Sequence, residues 1–462
     1  MMQVKMNGNV SFWYADIGGV PDRRAALPGD READICIIGA GYTGLWTAYY
    51  LNKADPALSV TIVEREFAGF GGSGRNGGWL SGGFDWSREK YLKTSSRQAV
   101  IAMQTAMAGT VDEVIRVAET EGIDADIVRT DNLVVATNAA QMGRLGDDYR
   151  TMLDWEVPAE KVALLSARET ADRVRISGVK GGLVVGGMAR VQPAKLARGL
   201  AAAVERLGVT IYEGTAVTGY RKGLVETDRG TIRAPVILRA TEGFTAGLKG
   251  HEREWLPLNS AQIVTEPLPE ALWDEIGWRG HELLGEGAHA YCYAQRTREG
   301  RIAMGGRGVP YRFGSRTDVN GQTQDATVAQ LHAILVRLFP KLRDVRIDHA
   351  WCGVLGVPRD WCTTAGFDAA TGLGWAGGYV GLGVSSSNLA GRTLCDLVLK
   401  RDTELVRLPW VNRSVRPWEP EPLRWLGVHA MYRLYASADQ REAAGLERTS
   451  RLADLANAIT GH

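Results

Sequence analysis

The 462-residue chain lacks any paired-cysteine pattern: Cys36, Cys292, Cys352, Cys362 and Cys395 are odd in number, widely spaced and never CxxC. That disfavours a disulfide framework and a zinc site, so no metal is expected, and it points to a reducing, cytoplasmic setting. An excess of charge is missing too, since 54 Lys and Arg stand against 53 Asp and Glu for a net charge of +1. Such a balance offers no electrostatic case for nucleic acid or an anionic membrane as partner. No run approaches the ~18 apolar residues of a membrane span. Residues 1–30 carry Trp13, Tyr14 and charges where a signal peptide would have its apolar stretch. No solenoid-type repeat period is evident either.

Glycine, by contrast, is plentiful. The 56 glycines exceed the roughly 7% of an average protein, as expected where a chain is approached closely by a large nucleotide. With 45% hydrophobic and 23% charged residues, the chain can form at least two domains, each with a core. Residues 33–38 are an apolar run followed by glycines, a helical stretch at 45–51 and a β-branched run at 60–63, which reads as strand, turn, helix, strand. Helical spacing returns at 98–121 and strand character at 133–137. A second set follows, with a helix at 193–207 and strands at 209–212, 224–227 and 236–240. Between 256 and 348 the texture shifts to strand segments, 290–294 and 301–305 among them, and one helix at 325–339. A strand and glycine turn at 375–383 precede a helix at 389–399, and a Pro/Trp-rich stretch leads to a last helix at 423–436. The nucleotide domain is therefore expected in discontinuous pieces around an inserted sheet domain.

The strongest motif is Gly39-Ala40-Gly41-Tyr42-Thr43-Gly44, placed between a buried strand and a helix. There the helix N-terminus can hold a pyrophosphate. Gly39 makes the tight turn, Gly41 admits the phosphate, and Gly44 allows the helix to lie close on the strand. Glu64 ends the next strand twenty residues after Gly44, where a carboxylate accepts hydrogen bonds from ribose hydroxyls and disfavours a 2′-phosphate, hence NADP. The motif alone does not separate NAD from FAD.

A second glycine segment, Gly69 to Gly78, follows that strand directly, and its run Ser73-Gly74-Arg75-Asn76-Gly77-Gly78 resembles the D-amino acid oxidase-like family of FAD enzymes, especially its gamma-glutamylputrescine oxidoreductase branch. Further matches are the "ARVQPAKLARGL" run from Ala189, the strand ending Arg239-Ala240-Thr241, and "GGYVGLGV" from Gly377 to Val384. The resemblance covers about 11–399. It implies an α/β fold with an α+β second domain: a discontinuous Rossmann-like FAD-binding domain of glutathione-reductase type, an inserted antiparallel-sheet substrate domain and a C-terminal helical extension. The expected division is FAD-binding parts at 1–95, 181–255 and 353–408, a bridge at 96–180, a substrate domain at 256–352 and the extension at 409–462. It also implies noncovalent FAD, contacted by the two glycine segments and by Arg65, Val217, Thr241, Gly381, Gly383 and Val384, with Arg75 adding charge near the pyrophosphate. Cys352 stands one residue from the family's covalent attachment position, which Gly353 occupies.

The implied reaction is oxidation of an amine by hydride transfer to flavin N5, giving an imine that hydrolyses, with electrons passing to O2 or another acceptor. Amine oxidation needs a neutral amine in a dry aromatic pocket more than it needs an acid or base. By family position Trp79, Tyr291, Arg307 and Trp351 are the candidates to meet the substrate, and Tyr293 shares a strand face with Tyr291. Two departures bear on the substrate: Ser385 stands where the sarcosine oxidase branch has a carboxylate-binding lysine, and Leu382 replaces a frequent histidine. That branch's oxygen-activating lysine has no counterpart in Arg301-Ile302-Ala303-Met304-Gly305, which leaves the acceptor open. A 2-hydroxy acid or polyol dehydrogenase of the same fold, and a non-catalytic FAD-binding assembly protein hinted at by the altered 239–245 segment, stay open. The extension after 417 carries apolar and aromatic residues between Arg424 and Arg433, and docking on its own domain or on a second copy is preferred to a membrane surface.

Overall fold

A computed structural model describes residues 4–306, 311–317 and 319–460. The strands Ile35–Ile38 and Val60–Val63 are buried along their whole length, as central strands of a parallel sheet must be. They lie in a six-stranded sheet ordered Thr364–Asp368, Leu373–Gly377, Val236–Arg239, Ile35–Ile38, Val60–Val63, Thr210–Tyr212. All its pairings are parallel except that of Thr364–Asp368. Helices Tyr42–Ala54, Pro193–Arg206 and Gly383–Val398 contribute to its core, the last packing directly on the first. Leu45, Leu51, Val204 and Leu200 close this apolar layer.

A larger, mostly antiparallel sheet of ten strands stands beside it. Its spine is the long pair Trp255–Thr265 and Ile347–Pro358, followed on one side by Ile302–Gly306, Cys292–Arg296 and Leu283–Glu286. It draws on more of the chain than 256–352, because Val4–Asn7, Trp79–Leu80, Val128–Ala136, Val162–Ser166 and Gly181–Arg190 also join it. Helix Arg97–Thr120, capped by the Ser96 hydroxyl, buries Val100, Met103, Met107, Val111 and Val114 at helical spacing and packs against Gly383–Val398. Helices Ala139–Asp154 and Arg451–Thr460 have no counterpart in the sequence reading.

The extension forms helix Leu423–Ala443, which docks on its own chain. Asp439 accepts from the N–H groups of His289 and Ala290, both at 2.8 Å, and His289 Nε2 meets Glu442 at 2.9 Å. At its other end, buried Arg424 donates to the Glu252 carbonyl at 3.1 Å. Among the described residues no helix is long and apolar enough to cross a membrane.

Candidate functional site

Three bends far apart in sequence meet along one cleft of about 1320 Å³, solvent at its mouth included. Gly39, Gly41, Tyr42 and Thr43 line it from the first bend, Ser73 and Asn76 from the second, and Gly381, Gly383 and Val384 from the third. Glu64, Arg65, Val217 and Thr241 complete the expected lining.

The first bend owes its shape to glycine. Gly39 has φ +106°, and a side chain there would begin 2.7 Å from the Ala240 carbonyl oxygen. A Cβ at Gly44 would strike the Gly39 carbonyl, so the helix can lie on the strand only with glycine at both positions. Helix Tyr42–Ala54 thus starts at the cleft with Gly41 as its N-cap, presenting its first turn and the positive end of its dipole. Glu64 accepts from the Ala40 and Glu66 N–H groups, both at 2.9 Å. Burial pushes its carboxyl above the usual range despite these donors. The Tyr42 N–H donates to Ser73 Oγ at 2.8 Å, and Thr43 shares a 2.8 Å hydrogen bond with the Tyr379 hydroxyl, so the first bend is tied to the other two.

The second bend is held by its carbonyls. Trp351 Nε1 donates to the Arg75 carbonyl at 2.9 Å, Trp13 Nε1 to Asn76 at 2.7 Å, and Gln295 Nε2 to Gly77 at 2.7 Å. Gln262 also donates to the Arg75 carbonyl. Asn76 folds back on its own loop, donating to Ser73 at 2.9 Å and accepting from the Gly78 N–H at 2.8 Å. Gly44, Gly74, Gly77 and Gly78 do not line the cleft; they let neighbouring groups pack where a Cβ would intrude.

Arg75 is placed differently from expectation. It is fully buried, donates Nε to the Phe70 carbonyl at 2.7 Å and lies 4.2 Å over the Phe70 ring, and it does not line the cleft. The third bend, between Gly377 and helix Gly383–Val398, aims a second helix N-terminus at the cleft. It includes Gly381 at φ +111° and Val380 at φ +54°, an unusual conformation for a β-branched residue.

The four substrate candidates separate. Trp79 meets Tyr291 with ring centroids 6.4 Å apart and Tyr293 at 6.0 Å, and the two tyrosines stack at 6.3 Å. Tyr293 presses on the second bend, since a Cβ on Gly77 would fall 2.5 Å from its ring. Cys292 turns to the opposite face and is buried among apolar residues, as strand alternation requires. Tyr291 itself precedes strand Cys292–Arg296, which starts two residues later than expected. Trp351 lies elsewhere: it sits within strand Ile347–Pro358, buried against Phe12, Trp13 and His349. Arg307 lies outside the described residues. Glu242, Phe244, Val354, Leu355 and Tyr379 line the cleft without having been anticipated. The buried amides Gln262 and Gln295, polar residues within apolar strands, were a readable signal for the second bend.

A parallel sheet that directs two helix N-termini and a strand-end carboxylate into one elongated cleft defines a dinucleotide-binding protein. The family of FAD dependent oxidoreductases typified by D-amino acid oxidase matches residues 34–397, and the chain belongs to it. The chain is 29% identical over 409 residues to the probable oxidoreductase OrdL of Rhizobium meliloti, covering 85% of this chain and 89% of the relative. It is 29% identical over 407 residues to gamma-glutamylputrescine oxidoreductase of Escherichia coli, covering 86% and 91%. Among solved structures, glycine oxidase from Geobacillus kaustophilus superimposes with a TM-score of 0.69 at 22% identity, over 83% of this chain and all of that one. The cofactor is accordingly FAD. The cleft fits it: small residues open space for a pyrophosphate, helix N-termini face that space, and the Glu64 carboxyl, just past strand Val60–Val63, lines the same cleft.

Proposed function

We propose that this chain oxidises an amine at the carbon bonded to nitrogen, leaving an imine that water hydrolyses to a carbonyl compound and a smaller amine. Bound FAD supplies the electron-accepting N5 that receives the hydride. The protein's part is to hold, orient and dry. In this reading Gly39 to Thr43 and helix Tyr42–Ala54 hold the pyrophosphate, and Glu64 accepts from the ribose hydroxyls. Helix Gly383–Val398 offers N–H donors to the pyrimidine edge, where negative charge gathers on reduction. Trp79, Tyr291 and Tyr293 receive the substrate. Their ring faces attract residual positive charge, while the partly buried site penalises full protonation and so favours the reactive neutral amine.

The observation that carries this reading is the packing of that aromatic group onto Gly77, next to cleft-lining Asn76. The names of relatives such as gamma-glutamylputrescine oxidoreductase and glycine oxidase support an amine or amino acid substrate. Five buried cysteines without disulfides suit a reducing compartment. The test is anaerobic titration of the purified yellow protein with amines and with 2-hydroxy acids. Bleaching by amines alone is expected, with air or an artificial acceptor restoring the colour; bleaching by hydroxy acids alone would overturn the proposal.

A further inference from the structure

Glu242 occupies an unusual position. It follows strand Val236–Arg239 at φ +41°, a conformation that glycine adopts freely and a glutamate only at a cost of order 1 kcal/mol. Its side chain lines the cofactor cleft. One carboxyl oxygen accepts from the Tyr379 N–H at 2.9 Å and the other from the Gly356 N–H. A single carboxyl thus joins the exit of the parallel sheet, the long strand Ile347–Pro358 and the third glycine bend. Gly356 leaves room for it, since a Cβ there would run into Glu242.

The charge around it is wrong for an anion. Its carboxyl meets main-chain N–H groups and pairs with no cation among the described residues, while Glu64 and Glu66 line the same cleft, the latter held by Arg23 and Arg65, and FAD brings a doubly negative pyrophosphate. The remaining titratable groups in the lining are Tyr42, whose hydroxyl donates to the Pro193 carbonyl, and Tyr379, whose hydroxyl pairs with Thr43. On the preceding strand Arg239 is engaged by Glu254 and lies over Trp255, so it does not neutralise Glu242. An ionised Glu242 would repel the cofactor. A neutral one would not, and it would gain a donor that a carboxylate lacks.

We propose that Glu242 is a cofactor-binding residue that acts in its neutral form, donating its carboxyl proton to an acceptor oxygen of FAD while its two oxygens hold Gly356 and Tyr379. The inference rests on FAD binding and adds to it a residue and a proton. Burial pushes the Glu242 carboxyl up to about 7, against the pull of the N–H groups of Tyr379, Gly356, Gly378 and Gly243. The donor form is therefore lost as pH rises through that value, and FAD binding draws a proton in. Glu64 acts with the opposite sign, because ribose hydroxyls need its ionised form and would make affinity rise with pH.

The experiment is titration of the apoprotein with FAD between pH 6 and pH 9 (from about one unit below to about two units above the carboxyl's midpoint), followed by flavin fluorescence. The native dissociation constant is expected to rise by up to about tenfold per pH unit above neutrality. Glu242→Gln keeps a donor but loses this titration, so the weakening above neutrality should vanish, leaving a curve that is flat or, through Glu64, rises with pH. Calorimetry of the native protein at pH 8, about one unit above that midpoint, in two buffers of different ionisation heat, should show proton uptake, and it needs no variant. The same pH slope with ADP would place the acceptor on the adenosine diphosphate half, and a slope with FAD only would place it on the flavin half. A flat native curve, affinity that rises with pH, absence of proton uptake, or a Glu242→Gln curve that keeps the native slope would overturn the proposal. Failure to bind FAD at any pH would instead overturn the cofactor assignment.

Discussion

The cofactor cleft and the aromatic group beside it are neighbours built by opposite means. The cleft is shaped by main chain: Gly39, Gly41 and Gly44 decide where a helix may start, and the N–H groups of that helix face the ligand whatever side chains surround them. The aromatic group is shaped by side chains that converge from Trp79–Leu80 and the region of Cys292–Arg296, more than two hundred residues apart in sequence. Backbone sites depend on residues that cannot be exchanged; side-chain sites depend on sheet register. The first should resist substrate change across a family, and the second should carry it.

The sharpest way to break this contrast is Gly44→Val. Because even a Cβ meets the Gly39 carbonyl, we expect destabilisation of about 3 kcal/mol or more and colourless protein, read by melting temperature and visible absorbance. Yellow, stable protein would refute backbone control. Gly77→Ala probes the border between the regions: its Cβ would lie 2.5 Å from the Tyr293 ring, and overpacking of about 1–3 kcal/mol should appear as weaker FAD binding. Adding Tyr293→Ala should recover part of the loss in a double-mutant cycle. Tyr291→Ala or Trp79→Leu should leave FAD content unchanged and lower kcat/KM for the amine about tenfold, the loss of one ring's share of a cation–π contact. The smallest effect is expected from Asp439→Ala, which removes the acceptor for the His289 and Ala290 N–H groups just before Tyr291. A cost near 1 kcal/mol in stability and a raised KM with little change in kcat would mark Asp439 as positioning that tyrosine.

The contrast also explains what could be read in the sequence. Strand Val60–Val63 and the first glycine turn are legible to the residue, because buried parallel strands and glycine turns follow local rules; Leu224–Thr227, an antiparallel strand between two turns, is equally legible. The strand Ile347–Pro358 is hard to read from the sequence, because Gly353, Gly356 and Pro358 look like breakers. Those glycines serve neighbours instead: a Cβ on Gly353 would touch the Arg75 side chain at 3.4 Å, and Gly356 makes way for Glu242. Arg75 itself looked like a phosphate ligand, since nothing local reveals that Phe70 and the Cys352 carbonyl are its partners. Long-range pairings of this kind leave no period in the chain.

The cleft takes residues from Ile38 to Ser387. A growing polypeptide can therefore close around its nucleotide only after Ser387 has left the ribosome, after many distant contacts have formed. The colour of the protein then reports completed folding, since ligand held only by the native form shifts the balance toward it.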